Sequence, residues 1–208
     1  MMTVYQQITS NKLVAILRGA DPRDVVRIAA ALYEGGIRLL EITMNSEAPL
    51  KAIEQVAHKL GDRLVIGAGT VLDAGMAADA VSAGARFILS PVVEATVISA
   101  ARKLGAVSIP GAYTATEIYT AHRAGADIVK VFPATSPAYI KDLRAPLPHI
   151  PLLPTGGITP ENIGAYLKTG AVGFGIGSAL VNTKEPVTGA YLETLKENAR
   201  KFIQAIQP

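Results

Sequence analysis

Lys130 stands inside an apolar, β-branched run, "ADIVKVFP" (126–133), with Ile128, Val129, Val131 and Phe132 around it. Charged side chains are almost never fully buried unless paired, so its presence there needs a reason. A second charge, Glu41, sits in a comparable run, "IRLLEITM" (37–44). Burial disfavours the charged form of an amine, and neutral lysine amines attack ketones to form Schiff bases. A carboxylate nearby would move the protons that carbinolamine formation, dehydration and C–C cleavage require. Two structural alternatives stand beside this chemistry: a strand-end lysine that snorkels to water, or an ion pair between Lys130 and Glu41.

A second constellation suits phosphate. "PTGGITPEN" (154–162) and "GIGSAL" (175–180) each follow an apolar run. Gly156, Gly157 and Gly177 allow close backbone approach, and Ser178 offers a hydroxyl. The structural alternative is a pair of tight turns that need glycine for positive φ. Arg18 closes "AILRG" and Thr70 closes "GAGT". An arginine there could hold a carboxylate by charge-assisted hydrogen bonds, or form a rim salt bridge. His58, His122 and His149 show no spacing that suggests a metal site.

The elements that must position these residues recur along the chain. Eight short apolar runs are bounded by Gly or Pro: 12–19, 37–44, 63–70, 85–91, 106–111, 126–133, 150–157 and 171–178. Such runs read as buried parallel strands. Between them lie helical patterns with start signals. Asp21-Pro22 and Thr159-Pro160 each read as an N-cap with Pro at N1, and "TATE" (114–117) reads as a capping box. Glycines at 36, 84, 105, 125 and 170 mark helix ends. The tail from about Val187 to Gln207 reads as a last helix, with Leu192, Leu195, Ala199, Phe202 and Ile206 on its apolar stripe.

Eight strands alternating with eight helices imply an α/β fold, a single-domain (β/α)8 TIM barrel over 1–208. The competitor, a doubly wound open sheet, would need fewer strands, and no strand-bound G-x-G-x-x-G is present. Barrel sites lie at the C-terminal ends of strands. Alternation puts Ala126, Ile128, Lys130 and Phe132 on one face of their strand, and Leu39, Glu41 and Thr43 on one face of theirs. If both faces point inward, Lys130 and Glu41 converge from strands six and two.

Composition narrows the function. Half of the 208 residues are apolar, 18% are charged, and the formal net charge is +3 with acids and bases mixed along the chain. That pattern does not indicate a nucleic-acid surface, and the lack of Trp with few aromatics leaves no stacking platform for bases. Cysteine is absent, which removes disulfide and thiolate chemistry. No run reaches the ~18 apolar residues of a membrane span and no secretory signal is apparent, so a cytoplasmic protein is expected.

In order along the chain, "AILRG", "EGGIRLLEIT", "IGAGTVLD", "FILSPV", "IPGAYTATE", "GADIVKVFPA", "PTGGITPENI" and "GIGSALV" resemble the KHG/KDPG aldolase family. These are class I aldolases acting on 2-keto-3-deoxy-6-phosphogluconate and relatives. The resemblance implies Lys130 as the Schiff-base lysine and Glu41 as general acid/base. It also implies Thr70 and Arg18 near the pyruvyl carboxylate, Pro91 and Phe132 along the pocket, and Thr155 against the sugar portion. Gly156, Gly157, Gly177 and Ser178 match the phosphate site. A homotrimer without metal or cofactor is implied, with a keto-acid phosphate as its small-molecule partner.

Where some members carry arginine four residues after the glutamate, this chain has Asn45; the resemblance implies Asn45 among the substrate-binding residues, and carboxylate binding is expected to rest more on Arg18. Val92 replaces the glycine of the "SPG" segments of other members. Thr155 leans toward the gluconate configuration, since galactonate-type relatives often have an apolar residue there. The expected reaction is reversible cleavage to pyruvate and glyceraldehyde 3-phosphate, with 4-hydroxy-2-oxoglutarate as a further substrate. The alternatives are the galactonate isomer, a metal-free phosphosugar isomerase or epimerase, and a non-catalytic phosphosugar-binding barrel.

Overall fold

A computed structural model describes residues 2–207. Among them, eight strands run in parallel: β1 (Leu13–Leu17), β2 (Leu39–Thr43), β3 (Val65–Gly69), β4 (Phe87–Ser90), β5 (Val107–Ala112), β6 (Val129–Val131), β7 (Leu152–Pro154) and β8 (Phe174–Ile176). Their order is β7-β6-β5-β4-β3-β2-β1-β8. A parallel bridge between Thr155 and Gly175 joins the two ends and closes the ring. Every expected run coincides with a strand, β5 alone reaching one residue past its run, so the (β/α)8 barrel stands.

Eight helices follow the strands: α2 (Val25–Glu34), α3 (Pro49–Leu60), α4 (Ala74–Ser82), α5 (Ala95–Lys103), α6 (Ala115–Arg123), α7 (Pro137–Arg144), α8 (Ile163–Leu167) and α9 (Gly189–Ala205). The strands are buried on both faces, and their alternation sorts them into two cores. Leu13, Ala15, Leu40, Ile42, Val129 and Val131 face the helices. Val14, Leu39, Phe87, Leu89, Val107, Ile109, Ile128 and Leu153 fill the barrel. The fit inside is close: a Cβ on Gly67 would overlap the Phe87 ring on the neighbouring strand, so the small residue makes room for the large one. Ala126 departs from its expected face and joins the outer core, because β6 starts only at Val129 and the alternation does not reach back to it.

A further helix, α1 (Val4–Asn11), precedes β1. Its Val4 and Ile8 belong to the inner core, so it plugs the barrel at the N-terminal ends of the strands. The signal for it lies in "TVYQ": Thr3 Oγ1 accepts from the Gln6 N–H while Gln6 Oε1 accepts from the Thr3 N–H, a capping box.

The expected box at Thr114 and Glu117 is present on α6, and the glycines at 36, 84, 105, 125 and 170 all take positive φ. Two start signals fall differently. Asp21 spends its carboxylate on the Arg23 N–H and guanidinium, so a turn over 21–24 precedes α2, whose N-cap is Asp24. Thr159-Pro160 likewise opens a turn, and α8 starts after Asn162. On α9 the buried positions are Tyr191, Leu195, Ala199 and Phe202, with Leu192 and Ile206 partly buried beside them.

Candidate active site

The C-terminal ends of the strands surround a cavity of about 440 Å³. Of the residues expected at a site, Arg18, Thr70, Pro91, Lys130, Phe132, Thr155, Gly156, Gly157, Gly177 and Ser178 all line it. The sequence reading missed Ile16, Ile158, Thr159, Gly175 and Ala179, which line it too. Ile16 and Gly175 are inward-facing strand positions, which parity along "VAIL" and "FGI" would have flagged. No Asp or Glu lines the cavity, whereas Arg18 and Lys130 do, so the space suits an anion.

Lys130 sits on β6 in register with Gly111 of β5 and Leu153 of β7. It is 7% exposed, and that remainder opens on the cavity, which disposes of the snorkelling alternative. Its Nζ lies 5.6 Å from the centroid of the Phe132 ring, a cation–π contact. Lys130 takes part in none of the ion pairs formed among the described residues, so the ion-pair alternative is not what holds it.

Glu41 lies beneath the cavity, not in its wall. It is in register with Ile16 of β1 and Gly67 of β3 and is wholly buried. Neither carboxyl oxygen has a hydrogen-bond partner on the protein. The slot that admits it is the missing side chain of Gly69, where a Cβ would overlap Glu41 Oε1. An unpartnered buried carboxyl costs ~1–3 kcal/mol or more, the kind of local inconsistency that marks a functional site.

Around this pair the rim is built from turns. Thr70, with φ of +58°, holds a left-handed backbone that β-branched residues rarely adopt, a form of strain that clusters at functional sites. The loop after β7 carries Gly156 and Gly157 at φ of +93° and +70°. The Asn162 side chain braces it by donating to the Gly157 carbonyl at 2.8 Å and accepting from the Thr159 N–H at 2.9 Å. Its first residue, Thr155, is buried against Gly175, where a Cβ would overlap Thr155 Oγ1. Phe132 packs over Gly156. Beneath them the Tyr166 hydroxyl donates to the Ala134 carbonyl at 2.9 Å, and burial pushes its pKa above the ordinary tyrosine value.

Asn45 is exposed in the turn after β2 and does not line the cavity. That turn is closed by the Ser46 N–H donating to the Thr43 carbonyl at 3.0 Å. Arg18 is therefore the cation at this side of the mouth. The His122 and His149 rings meet edge to face at 5.2 Å, away from the cavity. Among the described residues, no group of three or more His, Cys, Asp or Glu could hold a metal, and no helix is long and apolar enough to cross a membrane.

A (β/α)8 barrel whose C-terminal mouth opens on a nearly buried lysine, with an unpartnered carboxyl group buried on a second strand and glycine-rich turns after strands seven and eight, has the parts of an aldolase-type lyase. Comparison with known proteins names the group: residues 4–192 match the KDPG and KHG aldolase model, and the chain belongs to that family. It is 36% identical over 200 residues, 95% of each chain, to the 2-dehydro-3-deoxy-6-phosphogalactonate aldolase of Escherichia coli K12. A KDPG aldolase from Legionella pneumophila, solved with pyruvate captured at low pH as a covalent carbinolamine intermediate, superposes with a TM-score of 0.84 at 28% identity. That match covers 96% of this chain and 97% of the other. A chain of a cube-shaped cage designed by fusing symmetric oligomeric domains gives a TM-score of 0.87 at 35% identity, over 93% of this chain and 71% of the other.

Proposed function

We propose that this aldolase cleaves 2-keto-3-deoxy-6-phosphogluconate to pyruvate and glyceraldehyde 3-phosphate through an imine on Lys130. The observation that carries the reading is a lysine only 7% exposed, facing a cavity without acids, in a barrel that also buries a carboxyl group with no partner on the protein. Lys130 Nζ adds to the C2 ketone to give a carbinolamine, and loss of water gives the imine. Removal of the C4 hydroxyl proton then breaks the C3–C4 bond, its electrons passing into the protonated imine to leave an enamine. Glyceraldehyde 3-phosphate departs, the enamine is protonated at C3, and water releases pyruvate. Glu41 relays the protons through water. The pyruvate carbinolamine captured in the Legionella relative supports this chemistry.

Arg18 and Thr70 hold the carboxylate, Pro91 and Phe132 wall the pocket, and Thr155 meets the sugar portion. The turns at Gly156, Gly157, Gly177 and Ser178 hold phosphate, so binding energy remote from the reacting carbons orients them. 4-Hydroxy-2-oxoglutarate, cleaved to pyruvate and glyoxylate, fits the same lysine chemistry. The galactonate isomer is a second reading, favoured by the 36% identity to an enzyme named for it, whereas Thr155 favours gluconate. A cytoplasmic location goes with a phosphorylated substrate. A homotrimer is supported by exposed apolar residues on successive loops, Leu72, Val92, Tyr113 and Phe132, and by the likeness to a domain used in an oligomeric cage.

The deciding experiment is borohydride reduction with pyruvate. A mass adduct mapped to Lys130 and absent from Lys130→Ala is expected; no adduct at saturating pyruvate refutes the imine. Side-by-side cleavage of the gluconate and galactonate isomers then ranks the substrates.

A further inference from the structure

The peptide unit that joins Arg18 to Gly19 is gripped on both edges. Its carbonyl oxygen accepts a 2.7 Å hydrogen bond from the Thr183 hydroxyl. Its N–H donates at 2.8 Å to Ser46 Oγ. Ser46 Oγ also lies 3.0 Å from Thr43 Oγ1. Thr43 is wholly buried and shares with Glu41 the inward face of β2, two residues on. Thus the loops after β1, β2 and β8 meet at one peptide.

Core packing anchors the flanking Leu17 and Ala20, but the two residues between them stand clear of it. Gly19 has φ of +67°, and no atom lies within 4 Å of where its Cβ would be. Arg18 itself is exposed at the mouth. The two hydroxyl contacts hold the peptide plane from both edges, and with it ψ of Arg18 and φ of Gly19. A guanidinium recognises a carboxylate by directional, charge-assisted bonds, so the aim of its backbone matters.

We propose that Ser46 and Thr183 are positioning residues: their hydroxyls clamp the Arg18–Gly19 peptide and so aim Arg18 at the carboxylate of the keto acid. The proposal rests on the aldolase reading above, in which Arg18 meets that carboxylate. Asn45 is uncharged and stands outside the cavity wall, which leaves that task to the clamped residue.

The test uses imine trapping with two ketones. Lys130 nitrogen bonds to the ketone carbon, water leaves, and borohydride delivers hydride to the C=N bond, giving a secondary amine counted by mass. Pyruvate carries a carboxylate; acetone has a methyl in its place. In Ser46→Ala and Thr183→Val, the half-saturating pyruvate concentration rises roughly 10-fold while that of acetone stays within about twofold. Ser46→Thr, which keeps the hydroxyl, restores the pyruvate value. An equal rise for both ketones means a generally loosened site and overturns the clamp, as does an unchanged pyruvate value. If the wild-type protein takes up neither ketone on Lys130, the aldolase reading falls first and this proposal with it. Labelled wild type with unselective variants refutes the clamp alone.

Discussion

If Glu41 is the proton carrier proposed above, its place was set for function at the expense of stability, and replacing it with methionine separates the two. Its side chain is wholly buried, and its two carboxyl oxygens have no hydrogen bond on the protein. Leaving a buried polar group without a partner costs ~1–3 kcal/mol, whereas an apolar group of the same shape avoids that cost. Methionine matches glutamate in length and bends to fill irregular space. Glu41→Met is therefore expected to gain about 1–3 kcal/mol. For a chain of this size each kcal/mol moves the melting temperature by ~2–4 °C, so the rise is about 2–12 °C. Glu41→Gln keeps a polar head in the same slot and is expected to gain little. Both variants should slow exchange of the pyruvate methyl protons by ~10²–10⁴-fold, the usual contribution of a proton-transfer group. The assays are thermal melts by circular dichroism without ligand and deuterium uptake into pyruvate by NMR. A Glu41→Met protein that melts at or below the wild-type temperature would refute the strain argument. Wild-type exchange in either variant would remove Glu41 from the reaction.

Gly69→Ala should act on the same pair from the other side: its Cβ overlaps Glu41 Oε1, so overpacking costs ~1–3 kcal/mol and displaces the carboxyl, with exchange falling as in Glu41→Gln. Ile8→Ala, in the helix that plugs the barrel, should cost ~2–5 kcal/mol in a urea melt while leaving the KM for pyruvate unchanged; a changed KM would tie α1 to the site. Removing the α6 cap by Thr114→Ala should cost ~1 kcal/mol by the same melt. The Glu117 carboxylate accepts from the Thr114 and Tyr113 N–H groups, which hold its pKa below the usual value. Its contribution is present above the unfolded glutamate pKa and lost as pH falls through the lower folded one. The urea-midpoint gap between wild type and Glu117→Gln should therefore close as the solution is acidified through that window, and a constant gap would count against the cap.

Much of the fold was legible because it is local. Each buried parallel strand reads as an apolar run between breakers, and the residues that share a face of β6 follow from alternation about Lys130. Where local chemistry had a competitor the reading slipped. Asp21 looked like a helix cap, but Arg23 two residues on took its carboxylate. The box at Thr3 and Gln6 passed unread, and α1 with it. Asn45 was placed near the substrate by analogy with its relatives, whereas the closed turn at Thr43–Ser46 leaves it exposed, outside the cavity wall.

The sequence by itself determined that strands and helices alternate, that Lys130 shares a strand face with Ile128 and Glu41 one with Leu39 and Thr43, and that glycine-rich turns follow the last two strands. That both faces point inward was decided by closure of the barrel. Ordered motifs along the chain were enough to identify the family. Only the tertiary structure decided that Glu41 stands without a partner in a slot opened by Gly69, and that Lys130 opens on a cavity free of acids. It also brought Arg18 to Thr183, 165 residues away, and Gly19 to Ser46, 27 away. Periodicity reports the geometry of a segment, while these contacts depend on how neighbouring strands register and where the ring closes.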